Sequence, residues 1–166
     1  MTQFLGKYRG QVVQNFDTEQ RGRILVRVPD VLGTGMGWAM PCAPYAGQSA
    51  GIYAVPPINA NVWVEFEGGN ADRPIWVGCF WETGETPQLA LAPPLPVGHI
   101  MLQTPLQNLI HISDAPAAAG GIMLKTASGA MITINDTGIV ISNGKGAVIS
   151  LTTKVVDING GALTIT

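Results

Sequence analysis

Residues 122–166 read IMLKTASGAMITINDTGIVISNGKGAVISLTTKVVDINGGALTIT, and the spacing within this stretch decides the fold. Stepping by eight from Met123 gives Met131, Ile139, Ala147, Val155 and Leu163. The adjacent column runs Leu124, Ile132, Val140, Val148, Val156 and Thr164. Asn135, Asn143 and Asn159 recur at the same step, and Gly144 and Gly160 follow two of them. A fixed period with apolar columns implies stacked units that bury their faces only against one another. The two columns from Met123 and Leu124 to Val155 and Val156 are therefore expected to line the core of a slender shaft. Such a shaft points to a mechanical role before a catalytic one. Asn143-Gly144 and Asn159-Gly160 suit tight turns at positive φ, which Asn and Gly adopt at least cost.

Working back from the octads, a duplication appears. Ile100–Asp114, IMLQTPLQNLIHISD, aligns without gaps on Ile122–Asp136, IMLKTASGAMITIND. Each copy reads as strand, turn and strand, so residues 100–136 form duplicated hairpins and residues 123–166 continue as octads. One chain coiling alone on four- or five-residue strands has too small a core to offset its ordering entropy. Three intertwined chains would give every octad partners, so a homotrimer is expected.

The composition changes near residue 82. Every Trp, Tyr and Phe and both cysteines lie at or before Trp81, and the last Arg is Arg73. Residues 1–82 read as short strands over Lys7–Gln14, Arg23–Val28, Gly37–Cys42, Gly51–Val55, Ala60–Glu67 and Pro74–Phe80. In NVWVEFEGG, Val62, Val64 and Phe66 alternate with Trp63, Glu65 and Glu67, which marks a strand with one buried face. Strands this short and numerous suit a small closed barrel. Residues 83–97, rich in proline, read as a linker, and residues 98–166 as the needle. The fold class is all-β: an N-terminal barrel and an intertwined trimeric β-helix.

Only 12% of residues are charged and 46% are hydrophobic, which suggests that sister chains cover part of the surface. A net charge of -2 leaves no electrostatic footprint for nucleic acid. The N-terminal MTQFLGKYRG lacks the apolar segment of a signal peptide, and no apolar run reaches the roughly 20 residues needed to span a bilayer. Assembly in the cytoplasm is the expectation, without stable membrane insertion. Cys42 and Cys79 match neither metal spacing nor a disulfide framework and read as buried free thiols.

These features together resemble a known family. GKYRGQVVQNFDTEQRGRILVRVPDVLG, GWAMPCAP and VWVEFEGGNADRPIWVGCFW are similar to the oligosaccharide/oligonucleotide-binding (OB) barrel of contractile-tail central spikes. That group comprises the phage baseplate assembly protein V proteins and the VgrG spikes of type VI secretion. The second half, down to VDINGGALTIT, resembles the group's three-chain β-helix. The resemblance implies a non-enzymatic, homotrimeric spike of a phage tail baseplate or injection particle. A hub protein would sit at its N-terminal side, and sheath contraction would drive it through a target envelope. No lysozyme domain stands between barrel and needle, no large hub domain precedes the barrel, and no His-x-His tip pair occurs. The resemblance therefore implies a blunt end capped by a PAAR-like tip protein, docked on Asn159, Gly160, Leu163, Ile165 and Thr166. A VgrG-like effector carrier, or an OB module for glycan or nucleic acid, is the alternative.

No residue set carries catalysis, a cofactor or a resident metal in this reading. His99 and His111 could assemble a three-ligand site about a three-fold axis. His111, however, aligns with Thr133 between Ile110 and Ile112, facing away from the apolar columns. Asp114 and Asp136 recur at equivalent turns and read as backbone acceptors, not an acid–base pair. Trp63, Trp76 and Trp81 read as packing residues, because Glu65 and Glu67 oppose phosphate approach. Lys125, Lys145 and Lys154 are expected to keep the shaft's outside wet.

Overall fold

The computed structural model describes residues 2–91 and 97–165. Contacts divide the chain into two compact units, Met1–Glu85 and Thr86–Thr166. The first is built on β1 (Tyr8–Gln14), β2 (Ile24–Arg27), β3 (Met36–Pro41), β6 (Asn61–Phe66) and β7 (Pro74–Phe80). These five strands close in the order β1-β2-β3-β7-β6, so the barrel leaves no open edge. Strand alternation fills it: Val12, Ile24, Val26, Val28, Ala39, Val62, Val64 and Phe66 are buried. Val62, Val64 and Phe66 point inward as their alternation requires, while Trp63 and Glu65 are half-buried on the outer face. Gly10 is demanded by crowding, because a Cβ there would lie 3.0 Å from Val64 Cγ2 and 3.2 Å from the Arg27 carbonyl.

Three local features depart from expectation. Pro29–Leu32 forms a single helical turn, α1, in a unit expected to consist of strands. Proline at its start presets φ, and Gly33 at φ 57° ends it. The strand expected over Gly51–Val55 shrinks to a two-residue arm. β4 (Ala46–Gly47) pairs only with β5 (Ala50–Gly51), and Ile52–Val55 runs on without a ladder towards Pro56 and Pro57. Cys42 and Cys79 are free but exposed, not buried. Cys42 lies just beyond β3, on the segment that leaves the barrel wall, so it does not enter the core.

The β1–β2 connection is held by one carboxylate. Asp17, buried to 8% exposure, accepts from the backbone N–H groups of Glu19, Arg21 and Arg23. The Arg23 guanidinium donates to the same carboxylate at 2.8 Å and 3.2 Å and lies over the Trp38 ring. Arg23, set against burial and joined by the three N–H groups, holds the Asp17 carboxyl well below the usual carboxylate range.

The second unit is one antiparallel meander. Its strands are β8 (His99–Gln103), β9 (Leu109–Ser113), β10 (Gly121–Lys125), β11 (Met131–Asn135), β12 (Gly138–Ser142), β13 (Val148–Thr152), β14 (Val155–Ile158) and β15 (Leu163–Ile165). Each pairs with its sequence neighbour, so the sheet order is the chain order. Of the linker read over 83–97, residues 92–96 lie outside the described residues. Its described part carries a 3-10 turn, Gln88–Leu91, that lies against β8, with Leu89 and Ala90 half-buried. The two apolar side chains give this proline-rich segment something to bury, so it does not stay fully extended.

Because the folded pKa of Asp17 is depressed, its stabilisation is fully present above about pH 4, the ordinary carboxylate range, and is lost as pH falls below it. Asp17→Asn should lower the barrel's thermal midpoint at pH 7 by several degrees. Melts followed by Trp fluorescence should show that gap to wild type narrowing steadily as pH falls from about 4 towards 2, and a constant gap would refute this origin.

Candidate functional site

Side chains in a strand alternate faces, and paired residues on neighbouring strands share a face. The register of the meander therefore sorts every residue of β8–β15. Each strand carries a triplet with an aliphatic residue at both ends: Ile100 and Leu102, Ile110 and Ile112, Ile122 and Leu124, Ile132 and Ile134. The pattern continues with Ile139 and Ile141, Ile149 and Leu151, Val156 and Ile158, Leu163 and Ile165. Pairing joins them into two rows across the sheet. One row links Ile100, Ile112, Ile122, Ile134, Ile139, Leu151 and Val156, whose ladder partner on β15 is position 165. The other links Leu102, Ile110, Leu124, Ile132, Ile141, Ile149, Ile158 and Leu163 by the same direct pairing. No polar residue interrupts either row.

This face is bare in the single chain. Twelve of its Ile and Leu residues are between 37% and 66% exposed. Eight strands at about 4.8 Å spacing make a stripe on the order of 40 Å long. Monomers rarely leave so long an apolar surface open to water. Covering the twelve side chains would contribute on the order of 10–20 kcal/mol per chain, comparable with the whole stability of a domain.

The opposite face is mixed. Met101, His111, Met123, Thr133, Val140, Ser150 and Asp157 form its central row. The ten residues expected to line one needle core are thus divided between two faces. Leu124, Ile132, Ile139 and Val156 belong to the aliphatic face. Met123, Met131, Val140, Val148 and Val155 belong to the mixed face, and Ala147 lies in a turn. The reason is the turn pattern. Long and short turns alternate, so Ile122 to Ile139 and Ile132 to Ile149 are each a step of 17 residues, one up-and-down pair of strands. A step of eight only approximates half of 17, and it drifts from one face to the other. The 22-residue duplication does hold in the structure, carrying Ile100 and Leu102 onto Ile122 and Leu124. The signal that would have found the face was the aliphatic–x–aliphatic triplet within each strand.

The recurring asparagines form the turns. Asn135 Oδ1 accepts from the Thr137 N–H and hydroxyl, and Asn143 Oδ1 from the N–H groups of Lys145 and Ala147. Asn159 Oδ1 reaches across to the Val148 N–H, with Asn159 and Gly160 both at positive φ. A side chain at Gly144 would collide with the Gly129 backbone, within 2.6 Å.

The two histidines do meet. His99 Nδ1 and His111 Nε2 are 3.0 Å apart, and the rings stack with centroids at 5.2 Å. Burial, aided by the neighbouring His99, pushes the His111 pKa down. Among the described residues no group of three or more His, Cys, Asp or Glu side chains could hold a metal. The pair lies on the mixed face, where His111 pairs with Met123, so it faces away from the aliphatic rows but not from the Met123 column. Asp114 and Asp136 both lie in connections between strands, apart from any such cluster. Of the tryptophans, Trp76 packs on the barrel core and donates to the Gly22 carbonyl at 3.3 Å. Trp63 stacks against Phe80 beneath Arg9, whereas Trp81 is exposed. The tip-docking set falls at the sheet's last strand. Asn159 and Gly160 form the turn before it and Leu163 opens it, while Thr166 lies outside the described residues.

The face assignment is directly testable. Leu124→Asp places a charge in the aliphatic row and should abolish the oligomer or lower its thermal midpoint by more than 10 °C. The adjacent Lys125→Asp, pointing the other way, should leave mass and midpoint within a few degrees of wild type. Size-exclusion chromatography with light scattering and calorimetry reads both.

Comparison with protein families accounts for both units. Residues 8–81 match the type VI secretion system/phage-baseplate injector OB domain. Residues 99–164 match the phage baseplate V C-terminal trimerisation domain. No curated protein matches the chain significantly. The closed five-stranded barrel and the sheet with one uncovered aliphatic face are what such an OB domain and such a trimerisation domain require. The chain belongs to the phage baseplate V family, as a homotrimeric structural protein of the spike type found in phage baseplates and type VI injectors.

Proposed function

We propose that three copies bring their aliphatic faces together on a common axis and form the needle of a central spike, driven through a target envelope when a sheath contracts. The observation that carries this reading is the pair of aliphatic rows, uninterrupted across eight strands of a trimerisation domain. Three such faces meeting on an axis would make a dry, solid interior. A solid rod transmits force along its length and offers no polar channel for cargo. The mixed faces, with Lys125 and Asp157, would then form the outside. Separating three sheets packed in this way requires wetting all of the rows together, so dissociation should be slow.

The chain acts mechanically in this reading and not as an enzyme. The barrels would engage a hub at the other end. β15 pairs on one side only, with β14, and an open edge invites a cap. A PAAR-like tip protein seated on Asn159, Gly160, Leu163, Ile165 and Thr166 would supply it.

Solution mass of the purified full chain tests the core of this proposal. The expected species is about three times the 17.4 kDa chain and resists dissociation in SDS without boiling. A monomer at micromolar concentration would overturn it, and a clearing band in peptidoglycan zymography would overturn the non-enzymatic role.

A further inference from the structure

The barrel carries a second uncovered surface. From Val31 to Val64, a run of 34 residues, the sequence contains no Asp, Glu, Lys, Arg or His. Part of that run is the barrel wall, where apolar residues are expected. The rest projects outside it as the β4–β5 hairpin and its flanks. Tyr45 is 59% exposed, Ile52 58% and Tyr53 79%. Ile52 donates its N–H to the Tyr45 carbonyl, so the two residues face each other across the hairpin base. Tyr53 lies over Gly22, its ring 3.4 Å from where a Cβ would stand. Between them the arm is Ala46, Gly47, Ala50 and Gly51, small enough to let another backbone approach closely.

An exposed arm in water is ordinarily dressed with charge, and this one has none. Elsewhere the barrel does carry surface charge, as in the Lys7–Glu65 and Arg9–Glu82 pairs. The bare arm therefore marks a surface covered in the assembled protein. We propose that the Tyr45–Tyr53 hairpin docks on the barrel of a neighbouring copy within the trimer. The inference rests on the trimeric reading above.

Two arguments select a second copy as the occupant. The first is tethering. The trimerisation domain begins at residue 99 and the barrel's compact unit ends at Glu85. The intervening chain spans at most ~45 Å when fully extended. Three barrels on tethers that short meet at roughly millimolar effective concentration, so even a weak apolar contact forms. The second is self-complementarity: the next barrel offers Trp81, exposed just beyond β7 and outside the hairpin, as an apolar receiving site. A contact from hairpin to a different patch is head-to-tail, and three-fold rotation closes it into a ring.

The test uses the full chain purified without other proteins, with p-benzoylphenylalanine placed at Tyr53. Irradiation of the trimer at micromolar concentration should give covalent dimers and trimers on denaturing gels, with cross-linked peptides mapping to residues 1–85 of another copy. The same photoreactive residue at Asp30, exposed on α1, should leave predominantly monomer bands. Ile52→Asp should cut the Tyr53 cross-link at least fivefold while the trimeric mass is kept, since the C-terminal sheets hold it. A trimer that yields only monomer bands from Tyr53 overturns the inference and leaves the hairpin free for another protein. A monomeric mass before irradiation instead overturns the trimer itself, so the two failures are distinguishable.

Discussion

Antiparallel pairing of eight short strands, of three to five residues each, is the constraint on which the C-terminal structure depends. Each strand must alternate faces, and each neighbour must match faces with it. Once every strand carries an aliphatic residue at two positions of one parity, the ladder assembles them on one side. A single sheet has nothing with which to cover that side. Within one chain the sheet's strands are hydrogen-bonded to their neighbours while its aliphatic face stays uncovered, and trimerisation supplies the missing burial.

The barrel obeys the opposite logic. Its five strands close on themselves, and eight apolar side chains are buried without help from another chain. Its connections are stabilised locally, most of all by Asp17, whose carboxylate gathers three backbone N–H groups and the Arg23 guanidinium. The two units therefore divide the labour of stability. One is satisfied within the chain and can present loops and a hairpin, whereas the other holds copies together.

Much of this was legible in residue order. Val62, Val64 and Phe66 announced the barrel's inner face by alternation alone, and Pro74–Phe80 was read with its observed ends. The duplication of Ile100–Asp114 in Ile122–Asp136 survives as two superposable hairpin registers. The apolar columns were less well served. A step of eight connects Met131, on the mixed face, with Ile139, on the aliphatic one, because turns of unequal length lie between strands. Neither the α1 turn nor the exposure of Cys42 carries a periodic signal, since each depends on where the chain leaves the barrel wall.

By itself the sequence determined the all-β class, the change of character near residue 82, the repeat and the turn residues that punctuate it. These are local properties: strand alternation, proline and glycine geometry, and composition act within a few residues. Only the tertiary structure decided which side of the repeat is the assembly face. Facing depends on register between strands, and a change of one residue in a turn exchanges the two sides of everything that follows.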